Sequence, residues 1–214
     1  MNNLMIESLK KRRTQYALGK ALPLSPGQTS TLIQEAIRLA PSSFNSQSSR
    51  AEILFGEQSL ELWNIAKEAL RKIVPADAFA ATEAKLDAFA AGAGTVLFYE
   101  DQNVVKGLQE KFALYADNFP VWSEQASGMA QFAVWTALAN ADIGASLQHY
   151  NPLIDAEVAA RWQIPASWKL RAQMPFGSNE KSFGDKSFMD DLERFKVFHS
   201  AAGDAAAGEV RKYA

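Results

Sequence analysis

The chain has 214 residues, 48% of them hydrophobic, a net charge of −2 at pH 7 and no cysteine. The length and hydrophobic content predict a single domain over residues 1–214 with a sizeable core, and the weak negative charge argues against a general nucleic-acid binder. The lack of cysteine excludes disulfides, thiolate metal sites, iron–sulfur clusters and cysteine nucleophiles, and it favours a reducing compartment.

The N-terminus and the least charged stretch do not resemble export or membrane signals. The sequence MNNLMIESLKKRR puts its charges after a short apolar patch, unlike a signal peptide. The least charged run, residues 125–141, is shorter than the roughly 20 residues that a transmembrane helix needs. We therefore expect a cytoplasmic protein with no membrane partner.

The first half of the chain predicts helices separated by short strands. One helix opens with Ser25 as N-cap, Pro26 at the first helical position and Gln28 closing a capping box. Pro41 stops that helix, so residues 42–49 are expected to form a loop. The other elements predicted in this half are helices at residues 2–11, 57–73 and 77–91 and strands at residues 50–56 and 94–101.

The most informative helix of the second half covers residues 121–144. It carries a ridge of small side chains three or four residues apart, namely Ala126, Ala130, Ala133, Ala137 and Ala141. With no charge between residues 125 and 141, this helix is expected to be almost wholly buried, which is easier to explain in a dimer core than in a small monomer. The remaining predicted elements are helices at about residues 101–116 and 155–162 and a strand at residues 168–177.

Several common catalytic motifs are absent from the sequence. There is no G-x-S-x-G elbow, no phosphate-binding G-x-x-x-x-G-K-[ST] loop and no H-E-x-x-H motif. The glycines at 92 and 94 precede a predicted strand, which is the wrong context for a dinucleotide fingerprint. The two histidines, at 149 and 199, are too few for an imidazole metal site, so we expect no metal.

Two groups of cations could bind an anion. Arg12 and Arg13 can neutralise a phosphate, because guanidinium bonds in a fork, and Thr14 adds a hydroxyl donor. Lys186 offers a further cation from far along the chain. The basic cluster at residues 10–13 is equally consistent with a solvated helix end, where cations complement the carbonyl dipole.

Two polar loops could bind other parts of a ligand. The loop after Pro41 has four side chains that could bond the heteroatom edge of a flat ring, although serines after a proline are usually turn formers. These side chains are Ser42, Ser43, Asn45 and Gln47. Residues 148–151 could present backbone N–H groups to a ligand, or they could be packed and hydrogen-bonded within the protein.

Six segments in order resemble the flavin-dependent nitroreductase family. They are KRRTQYAL, APSSFNSQSSR, GTVLFYED, YADNFPVWSEQASGMAQ, DIGASLQHYNPLID and PFGSNEKSFGDKSF. The resemblance covers about residues 8–198 and is closest to a short subgroup of fungal and bacterial members linked to stress response and lipid signalling. It implies FMN as the cofactor.

The resemblance implies a phosphate site at the N-terminus. In the family, an Arg-Arg/His-Ser motif holds the FMN phosphate and ribityl chain, and a Lys or Arg near the C-terminal part completes the site. These positions correspond to Arg12, Arg13, Thr14 and Lys186. Many members have a basic residue near the flavin pyrimidine ring where this chain has Tyr16, and Lys85 is a candidate, by loose alignment, for the missing charge.

The resemblance also assigns both polar loops to the flavin. The family's P-S-S-x-N-x-Q loop reaches across a dimer interface to the partner's flavin, and it matches Pro41, Ser42, Ser43, Asn45 and Gln47. A Pro and a Trp usually follow, where this chain has Ser48 and Ser49. A backbone N–H to flavin N5 comes in many members from the loop that corresponds here to Gln148, His149 and Tyr150.

The implied fold is α+β, with a small, mainly antiparallel sheet flanked by helices in an intertwined homodimer. The implied activity is hydride transfer from NAD(P)H through flavin N5 to nitroaromatics, quinones or other small flat acceptors in a ping-pong cycle. FMN would carry the chemistry, so no catalytic side chain is required. Phe44, Phe119 and Trp122 are candidates for the pocket wall, or they could be ordinary interface packing.

Other functions remain open at this point. A flavin-binding regulatory or scavenging protein with little turnover would be consistent with the change at Tyr16. A basic interaction module without a cofactor is a third candidate. The sequence does not choose between NADH and NADPH, and it does not identify the physiological acceptor.

Overall fold

The computed structural model of the protein describes residues 3–198 and contains, within that range, eight α-helices and five β-strands. The helices are α1 Leu4–Lys11, α2 Pro26–Leu39, α3 Glu57–Arg71, α4 Phe79–Ala90, α5 Gln102–Lys111, α6 Phe119–Asn140, α7 Asp155–Trp162 and α8 Asp191–Arg194. The strands are β1 Leu18–Gly19, β2 Ser49–Phe55, β3 Gly94–Asp101, β4 Gly144–Ala145 and β5 Trp168–Asn179.

The chain divides into two compact units. The first covers residues 3–183 and contains α1 to α7 and the whole sheet, and the second covers residues 184–198 and contains α8. The single domain over residues 1–214 stays a prediction, and its ends, residues 1, 2 and 199–214, lie outside the described residues.

The five strands form one antiparallel sheet. Its order is β1-β5-β3-β2, and β4 also pairs with β5. In the centre, Val96 of β3 lies opposite Ile53 of β2 and Met174 of β5. This architecture confirms the predicted α+β fold with a small, mainly antiparallel sheet.

Strand β3 is buried on both faces. Because side chains alternate along a strand, Val96 and Phe98 pack towards α2 and α6, whereas Leu97 and Tyr99 pack towards α3, α4 and α7. Helices therefore cover both sides of the sheet, and every residue from 94 to 100 is buried. Any polar side chain in this strand must find a partner inside the protein.

Thr95 is one such polar side chain. Its Oγ1 accepts a hydrogen bond from Trp63 Nε1 at 2.9 Å and lies 2.7 Å from Ser59 Oγ, with which it shares a second hydrogen bond. All three residues are buried, so the bonds are shielded from water. They tie α3 to the centre of the sheet.

The boundaries of α2 follow the sequence signals. Ser25 Oγ accepts from the N–H of Gln28 at 3.3 Å, and the Gln28 side chain accepts from the N–H of Ser25 at 3.0 Å. The predicted capping box is thus confirmed, and the helix ends at Leu39, two residues before Pro41. Ile33 of this helix is buried in the core, and the partly buried Ala36 and Ile37 pack against it.

The predicted helix over residues 101–116 is too long. Helix α5 ends at Lys111 because Phe112 has φ −127° and ψ 64°, which are not helical angles. A 3-10 helix, Ala113–Asn118, follows, and α6 then begins at Phe119. The two-residue strands β1 and β4 were not predicted, since two residues are too few to show a period.

Helix α6 buries one face and exposes another. Ala126 and Ala130 are almost fully buried, but Val121, Met129 and Phe132 are exposed by 55%, 40% and 41%. The expectation of nearly complete burial is therefore wrong for the single chain, and burial by a second subunit stays a prediction. Neither α6 nor any other helix in residues 3–198 is long and apolar enough to cross a membrane.

The Thr95 bonds give a prediction for stability. Thr95→Val keeps the side-chain shape but leaves the buried Trp63 Nε1 without its acceptor, so the free energy of unfolding should fall by about 1–3 kcal/mol. The matched control is Thr136→Val, because the buried Thr136 Oγ1 has no hydrogen-bond partner among the described residues. Urea denaturation at one protein concentration measures both. Equal losses in the two variants would contradict a specific role for the Thr95 hydroxyl.

Candidate functional site

The N-terminal cations lie where the chain leaves α1 and meets the sheet. Arg12 caps the C-terminus of α1 with extended backbone angles, and its N–H donates to Ser8 O at 3.1 Å. Thr14 then forms a β-bridge with Ala145 of β4. Arg12, Arg13 and Thr14 therefore follow one another from the end of α1 to the sheet, and their shared phosphate site stays a prediction.

Arg12 lies against an aromatic ring. Its guanidinium carbon is 4.5 Å from the ring centroid of Trp135 on α6. Burial, and after it the positive charge of Arg13, lowers the pKa of Arg12 from its usual value. An anion bound beside the two guanidinium groups would relieve this repulsion.

Arg13 faces a small cavity of about 50 Å³. Its guanidinium carbon is 5.6 Å from the Phe183 ring centroid, and Lys11 and Asp142 line the same cavity. Lys11 Nζ forms an ion pair with Asp142 at 2.8 Å. This ion pair engages the charge of Lys11.

Tyr16 and Lys85 both lie near the buried ring of Phe89. The Tyr16 ring is half exposed, and its centroid is 6.3 Å from that of Phe89. Lys85 Nζ is 5.8 Å from the same Phe89 centroid. The role of Lys85 in replacing the charge missing at Tyr16 stays a prediction.

The loop at residues 41–49, called the serine loop below, has a strained backbone. Phe44, Asn45 and Gln47 have φ values of 57°, 50° and 48°, a left-handed region that residues other than glycine seldom adopt. Ser42 Oγ accepts from the N–H of Gln47 at 2.9 Å, which closes the turn. Such strain persists only where surrounding contacts impose it.

A cavity of about 200 Å³ opens beside the serine loop. Pro41, Ser42 and Gln47 line it together, flanked by Arg38 and Arg50. Three of the five residues predicted to contact flavin from this loop therefore face one space. Arg50 also donates to Gln47 O at 2.6 Å and to Asp101 at 3.1 Å, so it connects the loop to the end of β3.

Glu100 is a residue that the sequence reasoning missed. It is fully buried at the end of β3 and accepts hydrogen bonds from Ser48 Oγ and Ser49 Oγ at 2.5 Å each and from Ser123 Oγ at 2.8 Å. The available signal was an acidic residue in an apolar strand, together with the serines at 48 and 49. The three bonds join residues far apart in sequence, and no local pattern reveals such a network.

The predicted pocket aromatics form one cluster. The ring centroid of Phe44 lies 5.4 Å from that of Phe119 and 6.1 Å from that of Trp122. The rings of Phe44 and Trp122 are stacked, with 23° between their planes. Phe112 and Tyr115 complete the cluster at 4.8 and 6.2 Å from Phe44. Phe119 is buried while half of Phe44 is exposed, so the cluster presents an accessible aromatic surface.

The loop at residues 148–150 has little freedom to donate hydrogen bonds. The N–H of Gln148 donates to Gln173 O at 2.7 Å, and the N–H of Tyr150 donates to Gln173 Oε1 at 2.7 Å. His149 is exposed, and its N–H has no acceptor within residues 3–198. Of the three predicted donors to the flavin, His149 is the one whose N–H is available.

Lys186 belongs to the second unit and is exposed there, with Nζ 5.0 Å from the Phe188 ring centroid. Its predicted phosphate contact stays a prediction.

No group of three or more His, Cys, Asp or Glu side chains in the described part of the chain could hold a metal ion.

This chain is similar to known proteins that are named as nitroreductases. HBN1 of Saccharomyces cerevisiae is 35% identical over 193 residues, which cover 89% of this chain and 96% of HBN1. The nitroreductase CinD of Lactococcus lactis, solved with chloramphenicol, is 52% identical with a TM-score of 0.84, and the match covers 91% of this chain and 100% of CinD. CinD solved with 4-nitrophenol gives 54% identity and a TM-score of 0.83 with the same coverage.

More distant structures share the fold alone. A nitroreductase with bound FMN from Desulfitobacterium hafniense is 12% identical, with a TM-score of 0.68 over 93% of this chain and 100% of its own.

The model of the nitroreductase family matches residues 9–178, which hold the N-terminal arginines, the serine loop, the aromatic cluster and the loop at residues 148–150. From this match and the identity with HBN1, we conclude that the chain belongs to the nitroreductase family.

Proposed function

We propose that this protein is an FMN-dependent homodimeric oxidoreductase that passes hydride from NAD(P)H to small flat acceptors such as nitroaromatics or quinones. The similarity to CinD supports this proposal most strongly, because CinD has been solved with two nitroaromatic compounds and is more than half identical over nearly the whole chain. The cluster around Phe44 fits such acceptors, since aromatic side chains stack on flat rings.

The donor set of the N-terminal segment fits a phosphate. Arg12 and Arg13 supply charge and forked donors, and Thr14 adds a hydroxyl. The indole Nε1 of Trp135, next to Arg12, is buried without a hydrogen-bond partner among the described residues. A buried donor without a partner is costly, so an acceptor brought by a ligand or a second subunit would be favourable here.

The remaining residues suit the flat end of the cofactor. Pro41, Ser42, Ser43, Asn45 and Gln47 would line the ring of a flavin held by the partner subunit. His149 would offer its N–H, and Lys85 would offer positive charge beside Tyr16. When bound, FMN would supply the hydride chemistry in a ping-pong cycle, and the protein would orient reductant and acceptor and exclude water.

A second function of the same fold has one observation in its favour. Tyr16 replaces the basic residue that many members of the family carry near the flavin, so a flavin-binding regulatory or scavenging protein with little turnover is the alternative. The two candidates differ in whether a nicotinamide reduces the bound flavin.

Flavin reduction tests the proposed function directly. We expect the purified protein to be yellow, to lose its colour when NADH or NADPH is added without oxygen, and to regain it when a nitroaromatic or quinone follows. A yellow protein that neither nicotinamide bleaches contradicts the oxidoreductase and favours the alternative. A colourless protein that takes up no added FMN contradicts both. Stopped-flow traces with each nicotinamide also decide the preference between them.

Arg12→Ala tests the phosphate site. Loss of a charge-assisted hydrogen bond should raise the Kd for FMN by about ten- to a hundredfold, measured by fluorescence titration of the apoprotein. Lys10→Ala is the matched control, because it removes a cation two residues before Arg12 that pairs with Glu7 at the surface. An unchanged Kd in Arg12→Ala would count against the assignment.

The homodimer rests on apolar surface that one chain leaves uncovered. Leu4 of α1 and Leu39 of α2 are 87% and 82% exposed, and α6 exposes Phe132. A contiguous apolar surface is typical of interaction sites, and the proposed dimer would bury these side chains together.

Light scattering should therefore give twice the 23.5 kDa of one chain. Phe132→Asp should shift the protein towards the monomer, because it would bury a charge in the interface. Ile73→Asp replaces another exposed apolar side chain, after the end of α3, and should not change the mass. A wild-type protein with the mass of one chain would contradict the assignment of the serine loop to a partner's flavin.

A further inference from the structure

Glu100 is unusual because its carboxylate is buried without a cation. It is 0% exposed, and no Lys or Arg within residues 3–198 forms an ion pair with it. The nearest acidic residue along the strand, Asp101, holds Arg50 instead. Burying a carboxylate is expensive unless its oxygens are satisfied, so the hydroxyls that bond to Glu100 are essential to its position.

Those hydroxyls come from two elements that carry the candidate site. Ser48 and Ser49 end the serine loop, and Ser123 lies in the first turns of α6, directly after Trp122. Ser48 Oγ and Ser123 Oγ donate to the same oxygen, Oε2. One atom of Glu100 therefore links the serine loop to the helix that holds the aromatic cluster.

The serine loop depends on such an anchor. Three of its residues have positive φ, so the isolated loop would relax to another shape. Its C-terminal end is fixed by the two Glu100 bonds and by the N–H of Asp101, which donates to Ser48 O at 3.0 Å. Its tip, Phe44, stacks on Trp122. The loop is thus joined to α6 in two ways, directly by the stacking of Phe44 on Trp122 and indirectly through the Glu100 carboxylate.

The space between the loop and the helix is nearly filled. A cavity of about 10 Å³ remains there, lined by Ser43, Ser46 and Ser48 of the loop, by Phe119, Trp122 and Ser123 of α6, and by Val105 and Leu108 of α5. A cavity of this size holds about one water molecule at most. Movement of the loop relative to α6 would therefore open a gap or force the rings apart.

We propose that Glu100 is a positioning residue that fixes the serine loop against α6 and thereby sets the aromatic surface on which the acceptor stacks. The inference rests on the proposed function for the identity of the acceptor. The coupling between loop and helix is a property of the chain alone.

Ser123→Ala removes only the bond between Glu100 and α6 and leaves the two serine-loop bonds in place. Its matched control is Ser127→Ala, one turn further along α6, where an equally buried hydroxyl accepts only from Gln131 Nε2 at 2.9 Å. Thermal denaturation of both variants checks that each is folded.

Hydrogen exchange of the full-length protein, without reductant or acceptor, is the first measurement. We expect the amides of residues 42–50 to exchange at least about fivefold faster in Ser123→Ala than in Ser127→Ala, because local opening becomes easier when the anchor is cut. Equal exchange in the two variants would overturn the proposal whether or not the protein turns over. A failure of the proposed function leaves this readout unaffected.

Acceptor kinetics are the second measurement. In Ser123→Ala, the KM for a nitroaromatic should rise by a larger factor than the rate of flavin reduction by NAD(P)H falls, because the aromatic surface on which the acceptor stacks is less firmly held. A general structural defect would lower both half-reactions together. Faster loop exchange with an unchanged KM would overturn the link between Glu100 and the acceptor.

Discussion

The burial of β3 on both faces is the constraint on which the candidate site depends. Helices cover both faces of the sheet, so each buried polar side chain of the sheet needs a hydrogen-bond partner inside the protein, and loops supply these partners. Glu100 of β3 bonds to the serine loop, and Gln173 of β5 bonds to the loop at residues 148–150 and to Asn151. Each loop that would face flavin is thus held by one buried polar side chain of the sheet.

This arrangement explains how much of the protein could be predicted from its sequence. The apolar run of β3, the capping box at Ser25 and the stop at Pro41 are local signals, and the structure follows them. The end of α5 depends on the conformation of Phe112, and the burial of α6 depends on what covers it, so neither follows from periodicity. The family could be identified because six motifs stand in order, not because any one of them is decisive.

The site divides in the same way. The structure places Arg12, Arg13 and Thr14 in succession between α1 and the sheet and gathers Pro41, Ser42 and Gln47 around one cavity, because these residues are close in sequence. Glu100, Trp135 and Gln173 could not be found that way, since each contacts residues from distant parts of the chain. Buried polar side chains in apolar elements are the signal that sequence reasoning can use for such residues.

The positive φ values at Phe44, Asn45 and Gln47 have a consequence for how the pocket can change during evolution. The path of the serine loop is imposed by the bonds of Ser48 and Ser49 to Glu100 and by the stacking of Phe44 on Trp122, not by the backbone preferences of the residues at its tip. A new aromatic side chain at position 44 that keeps the contact with Trp122 would therefore keep the same backbone path. Under the proposed function, the range of acceptors would then diverge through such substitutions at the tip, without change to the anchors of the loop.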